Sequence, residues 1–193
     1  MRILEENGYN VTGLDLSQDM LNIASGRVKG ELVNQDMREI RIDKRFNAII
    51  CLGSSFTYNQ CDEDVEKALN CFYTHLERGG VLLFDNFDYD RFNPDKHVKW
   101  DEESQSFDDL VITRRSKSSG WNPLDGTWTT EWLWTMKKGD DTREVYDKHL
   151  LKVYQYSYLR DKLQQTGFRD IEKIENNRLM IKAEKANGSR NTP

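Results

Sequence analysis

At 193 residues, with 37% hydrophobic and 32% charged side chains, the chain has room for one domain with a sizeable core under a heavily charged surface. Its net charge of −5 comes from 33 acidic and 28 basic residues that are interspersed, so it lacks the basic patch or arm that nucleic-acid binding requires. No apolar run approaches the roughly 20 residues that span a bilayer, and Met1-Arg2-Ile3-Leu4-Glu5-Glu6 is not the apolar stretch of a signal peptide.

Cys51, Cys61 and Cys71 form no C-x-x-C pair. An odd count without metal spacing fits reduced thiols, hence a cytoplasmic protein with no metal site and no membrane partner.

In chain order, four apolar runs bounded by turn or charged residues read as buried strands: 11–14, 32–33, 46–52 and 81–84. Helical patterns fill the gaps. Residues 19–25 carry Met20, Ile23 and Ala24 on one side, and 62–76 carry Val65, Leu69, Phe72, Tyr73 and Leu76 at helical spacing. The second helix is expected to stop at Arg78-Gly79-Gly80. Strands alternating with helices imply parallel pairing and an α/β sandwich.

The rhythm changes after Phe84. Residues 110–115, 127–136 and 150–156 alternate as antiparallel strands do, with a turn-rich connector at 116–126 and a turn at Gly139-Asp140-Asp141. Asp101-Glu102-Glu103 reads as a solvated face. A helix over 158–163 stops at Gly167, 168–174 and 179–183 form a closing strand pair, and 187–193 is a polar, disordered tail.

Three segments carry chemistry. In Val11-Thr12-Gly13-Leu14-Asp15-Leu16-Ser17 a strand ends in a carboxylate just before a helix, at the edge where open α/β sheets bind ligands. Asp15 can accept both hydroxyls of a ribose; it can also simply cap the helix. In Val33-Asn34-Gln35-Asp36-Met37 the next strand ends the same way. Asp36 can accept from the exocyclic amino group of a purine, with Met37 packed on its face, although Asp after a strand is also ordinary turn chemistry. Residues 46–56 break at Gly53, where backbone can approach a ligand, and place Ser54, Ser55 and Phe56 toward the crevice.

The order of these segments resembles the class I S-adenosylmethionine-dependent methyltransferases. The resemblance rests on Gly13-Leu14-Asp15-Leu16-Ser17, Asp36-Met37, the strand and loop at 46–56, the Arg78-Gly79-Gly80 turn, and 149–168 ending in Thr166-Gly167-Phe168. Residues 50–56 with Asp85-Asn86-Phe87-Asp88-Tyr89-Asp90 look like the glycine and sarcosine N-methyltransferases. The antiparallel insertion is similar to that of sugar-amine N,N-dimethyltransferases. The glycine enzymes tend to carry Asp-His-Arg-Asn-Tyr-Asp where this chain has Phe87 and Asp88, which argues against glycine itself.

The resemblance implies a Rossmann-like sandwich with an antiparallel insertion after the fifth strand: 1–92 as the cofactor-binding half, 93–156 as a lid, and 157–186 as a closing helix and strands. It implies methyl transfer from S-adenosylmethionine to a small-molecule acceptor, an amine. Cofactor-binding residues would be Asp15, Leu16, Met20, Asp36, Met37, Leu52, Gly53, Ser54 and Phe56. Tyr58, Asn59, Asn86, Tyr89 and His149 would line the acceptor pocket, with His149 able to take a proton or to serve as a half-buried strand residue. No obligatory catalytic residue is expected, because a sulfonium needs alignment more than covalent help. Trp128, Trp132 and Trp134 would pack the lid. The expected partners are the small-molecule acceptor and a second copy of the chain in a homodimer; a catalytically silent module that needs a partner and an NAD-dependent oxidoreductase are the competing readings.

The family's first strand and glycine-rich loop have no counterpart here, Met1 to Gly8 matching only the end of the following helix. That strand is central, and each aliphatic side chain it buries is worth about 1.5–3 kcal/mol. Against a domain stability of about 5–15 kcal/mol, the expectation is a truncated product, a fragment or half of a split domain.

Overall fold

A computed structural model describes residues 1–96, 98–174 and 178–187; the expected tail beyond Asn187 lies outside them. The chain builds three sheets. Helix α1 (Arg2–Glu6) leads to strand β1 (Gly13–Asp15), helix α2 (Gln18–Ser25) and strand β2 (Leu32–Asn34). The strands β1 and β2 pair in parallel, Gly13 opposite Leu32 and Asp15 opposite Asn34. Ser17 starts α2 because its side chain accepts the otherwise unpaired Met20 N–H at 3.3 Å. The Glu5 carboxylate ties α1 to the loop before β2 by accepting from the Lys29 and Gly30 amides, at 3.0 and 2.6 Å.

The second sheet holds the core. Strand β3 (Phe46–Cys51) is followed by a 3-10 turn (Ser55–Tyr58), helix α3 (Asp62–His75) and strand β4 (Leu76–Asn86). With β9 (Phe168–Ile174) and β10 (Leu179–Lys185) the order is β3-β4-β10-β9, β3 parallel to β4 and the others antiparallel. Asp62, Glu63 and Asp64 in the first turn of α3 complement its dipole, while Val65, Ala68, Leu69 and Phe72 form its buried face. They pack on Leu82 and Phe84 of β4, on Leu179 and Ile181 of β10, and on Leu159 and Leu163 of helix α4 (Tyr156–Thr166).

α3 ends at His75 rather than at the glycine pair. The Lys185 ammonium donates to the Tyr73 and Leu76 carbonyls at 2.7 and 2.8 Å. A cation from β10 thus satisfies the helix terminus, and Gly79, at φ +72°, bends the start of β4 instead. α4 does stop at Gly167, which takes φ +107°.

Among the described residues no strand joins β1–β2 to β3, so the parallel layer is split in two and β3 is an edge strand. What ties the pieces is the stretch after β2: Met37 and Ile40 pack on the core, and the Cys71 thiol of α3 donates to the Arg38 carbonyl at 3.2 Å.

The third sheet is antiparallel, in the order β5 (Asp101–Phe107), β6 (Leu110–Asn122), β7 (Thr127–Lys138) and β8 (Asp141–Lys152). Three expectations change here. The acidic run at 101–103 is strand: Glu103 pairs with Arg114 at 2.6 Å and Glu102 with Arg115 at 3.7 Å across the β5–β6 ladder. Most of the expected connector is the continuation of β6, the turn closing only at Gly126, φ +72°, whose N–H donates to the Asn122 carbonyl at 2.9 Å. The last strand lies at Asp141–Lys152, not 150–156, because α4 already begins at Tyr156.

Candidate functional site

Parallel pairing places the ends of β1 and β2 on one rim. The Asn34 side-chain amide donates to the Asp15 and Leu16 carbonyls, at 3.0 and 2.8 Å, and binds the two ends together. Asp15 accepts the Ser17 N–H on one oxygen at 2.8 Å and is otherwise exposed. Asp36, two residues past β2, is half-buried and gripped by Arg38: the Arg38 N–H and Nε reach Oδ1 at 2.8 and 2.9 Å, and NH2 reaches Oδ2 at 2.6 Å. The far side of that guanidinium meets Asp64 of α3 at 3.1 Å. The Arg38 bonds hold the Asp36 carboxyl below the usual carboxylate range, against the opposing effect of burial.

Leu16 and Met20, just past the end of β1, and Leu52, just past the end of β3, are 64%, 55% and 43% exposed. At the end of β3, Gly53 takes φ +80° and a side chain there would meet no atom within 4 Å. Ser54 follows in the left-handed region at φ 64°, its N–H donating to the Asp85 carboxylate at 2.7 Å. This open glycine turn, the two strand-end acids and the uncovered apolar side chains fit a nucleoside cofactor. Phe56 is different: it is wholly buried, 4.7 Å from the Phe84 ring, and supports the turn from the core.

The 3-10 turn carries Tyr58 toward β8. Its hydroxyl lies 3.3 Å from His149 Nδ1, the rings edge to face, although the residues are 91 positions apart. Burial, with the nearby Asp147 charge, pushes the Tyr58 phenol up. Which of the two atoms donates follows the imidazole tautomer, since a phenol can both donate and accept. Trp132 lies against the other side of the imidazole, ring centres 4.6 Å apart.

The other expected acceptor residues stand apart from this pair. Asn59 is buried, its amide donating to the Phe56 carbonyl at 3.1 Å and lying 3.5 Å from the Met37 sulfur, while its carbonyl accepts from Tyr154. Asn86 is fully buried; its Oδ1 takes the Phe87 N–H at 2.6 Å, and its Nδ2 has no partner among the described residues. Tyr89 joins an aromatic cluster on the antiparallel sheet, its ring 5.9 Å from Trp121 and its hydroxyl donating to the Pro123 carbonyl. Trp128 closes the same cluster against Phe87 and Phe92, and Trp134 lies under the Arg114 guanidinium. A cavity of about 220 Å³ lies between Phe92, Asp95, Trp121 and Trp128, and none of the strand-end residues lines it.

Arg38 and Arg178 escape a reading by sequence. Arg38 has a local signal in its Asp-x-Arg spacing from Asp36. Arg178 has none: only folding brings its NH1 to the Ser54 hydroxyl and, at 3.5 Å, to Asp85.

No helix among the described residues is long and apolar enough to cross a membrane, and no cluster among them is suited to a metal ion.

Residues 1–80 match a family described as a methyltransferase domain. Over 94 residues the chain is 38% identical to a glycine/sarcosine N-methyltransferase of Aphanothece halophytica, covering 45% of this chain and 36% of that protein. Over 75 residues it is 37% identical to a dTDP-3-amino-3,4,6-trideoxy-alpha-D-glucopyranose N,N-dimethyltransferase of Streptomyces venezuelae, covering 38% and 32%. The matched stretch thus spans about a third of each curated relative. In structure, the chain superposes on DesVI of Streptomyces venezuelae with a TM-score of 0.80 at 25% identity, over 91% of this chain and 74% of that one. The sugar N-methyltransferase KedS8 from Streptoalloteichus sp. ATCC 53650 shares the fold, with a TM-score of 0.79 at 18% identity over 91% and 70%.

Proposed function

We propose that the chain, whose residues 1–80 match a methyltransferase domain and whose fold is shared with DesVI, transfers a methyl group from S-adenosylmethionine to a small-molecule amine. The observation that carries this reading is the emergence of Asp15 and Asp36 at neighbouring ends of parallel strands, on the rim where such sheets take nucleosides. Asp15 accepts the ribose hydroxyls, each charge-assisted bond contributing about 1.5–3 kcal/mol. Asp36, kept ionised by Arg38, accepts from the adenine amino group; carboxylate oxygens have lone pairs beyond those Arg38 uses. Leu16, Met20, Met37 and Leu52 cover the nucleoside faces. Gly53 and Ser54 let the backbone approach the methionine end, and Phe56 holds their turn in place.

When bound, the cofactor supplies a methyl group on a sulfonium, an electrophile that needs an aligned lone pair and exclusion of water. The β5–β8 sheet closes over the rim with Trp128, Trp132 and Trp134. Tyr58 and His149 face the acceptor amine; Asn59, Asn86 and Tyr89, expected beside it, stand apart from this pair. As the nitrogen loses its proton to the Tyr58 oxygen, Tyr58 passes its own to His149 Nδ1, leaving an imidazolium against Trp132.

Titration calorimetry tests the reading. S-adenosylmethionine should bind and Asp15→Ala should weaken it at least tenfold; tighter binding of NAD would sink it and favour an oxidoreductase. Cofactor binding without methyl transfer to any amine would leave a silent module. A cytoplasmic location, supported by the three free cysteines, and a homodimeric state belong to the same proposal.

A further inference from the structure

The register of the β5–β8 ladders shifts at one place, between Ser119 and Asn122 of β6. Ser119 pairs with Thr129 and Asn122 with Thr127, so Gly120 and Trp121 together face the single residue Trp128. Two residues against one make a β-bulge, and Gly120 takes the positive φ, +66°, that suits the first residue of such a bulge. A bulge re-aims the side chain beside it. Here Trp121 meets Phe92 with ring centres 4.7 Å apart, while Trp128 reaches the same ring at 4.8 Å. The planes turn by 38° and 48°, so the three rings form a bent wall rather than a flat stack.

That wall bounds the cavity of about 220 Å³, far more than the ~10–15 Å³ that one water needs. Among the described residues, Asp95 is the charged group that lines it. Its N–H donates to Asn93 Oδ1 at 3.0 Å, and no described residue meets its carboxylate. The other three tryptophans differ from this pair. Trp134 lies under the Arg114 guanidinium at 5.8 Å, Trp100 is covered by Arg115 and Lys117 at 5.3 and 4.9 Å, and Trp132 stands against the His149 ring. Among the described residues no cation or imidazole of the chain covers Trp121 or Trp128. Aromatic faces beside an unpaired carboxylate attract a cation twice, through the ring quadrupole and through charge. Alkyl groups on the nitrogen suit the apolar lining, where a bare ammonium would lose its hydration.

We propose that this cavity binds a small quaternary ammonium cation, held against Phe92, Trp121 and Trp128 and neutralised by Asp95. A quaternary nitrogen has no lone pair, so the ligand held here is not a methyl acceptor, and an anionic group of its own would be repelled by Asp95. Asp15, Asp36, Gly53, Tyr58 and His149 do not line the cavity. The proposal therefore stands or falls independently of the methyl-transfer reading.

The full chain is titrated with tetramethylammonium and, separately, with tert-butanol, a neutral molecule of similar shape. The indole N–H signals of the five tryptophans are followed by NMR. Tetramethylammonium should shift the Trp121 and Trp128 signals saturably and leave that of Trp134, which has its own cation, in place. The neutral molecule should bind about tenfold more weakly or worse. Trp121→Leu should lower the affinity for the cation about tenfold, and Asp95→Asn about threefold or more. Asp95 is exposed, so its variant keeps the test readable should Trp121→Leu fail to fold. No saturable shift, equal affinity for the two molecules, a response centred on Trp132 instead, or unchanged affinity in Asp95→Asn overturns the proposal.

Discussion

The two halves of the parallel layer are held by different means. The β3-β4-β10-β9 sheet has an eleven-residue strand near its centre and buries Leu82, Phe84, Leu179 and Ile181 completely beneath α3 and α4. The β1–β2 pair has three residues per strand; α1 buries no side chain and α2 only Leu21, while Ile3, Tyr9 and Ile23 stay exposed. An isolated two-stranded unit is marginal in water. The half that supplies Asp15 and Asp36 is therefore the less stable one, fastened through Met37, Ile40 and the Asp36–Arg38–Asp64 chain rather than through strand pairing. Regions that bind ligands are drawn from this low-stability end.

Cutting into the stronger half has the largest effect. Leu82→Ala, at the centre of β4, should cost about 2–5 kcal/mol in denaturant unfolding. A loss below 1 kcal/mol would show that β4 is not the centre of the cooperative unit.

A smaller, local effect is expected from Arg38→Gln. Arg38 and its partners are a third or less exposed, so the loss should be about 1 kcal/mol. It should appear as faster amide exchange over 32–37 with β4 and β10 unchanged; equal acceleration everywhere would mean that the halves unfold together. The acid side sharpens this. Arg38 depresses the folded Asp36 pKa, so its contribution is complete above the ordinary carboxylate range and lost as pH falls through the lowered value. In the wild type the 32–37 stretch should loosen on acidification through and below pH about 4, and in Arg38→Gln that pH dependence should be weaker.

The same contrast explains what could be read from sequence. A strand that runs into an acid is a local pattern, so Asp15, Asp36 and the Gly53 break were legible, as was the Gly167 stop. Tyr58 with His149 was not legible as a pair, because only the fold closes 91 positions. The end of α3 was misplaced because its cap, Lys185, comes from the far end of the chain. β5 and most of β8 hid for another reason: their ladders are held by charged and hydroxyl pairs such as Arg114–Glu103, Tyr146–Glu131 and Thr135–Glu144, where an apolar alternation would have announced a strand.

The central claim, a nucleoside clasped by the weaker half, is tested most directly by amide exchange of the wild-type chain with and without S-adenosylmethionine. The account predicts that the cofactor slows exchange at 13–17, 34–38 and 52–55 and leaves β9 unchanged. Protection confined to the β5–β8 sheet, or none at the ends of β1 and β2, would contradict it.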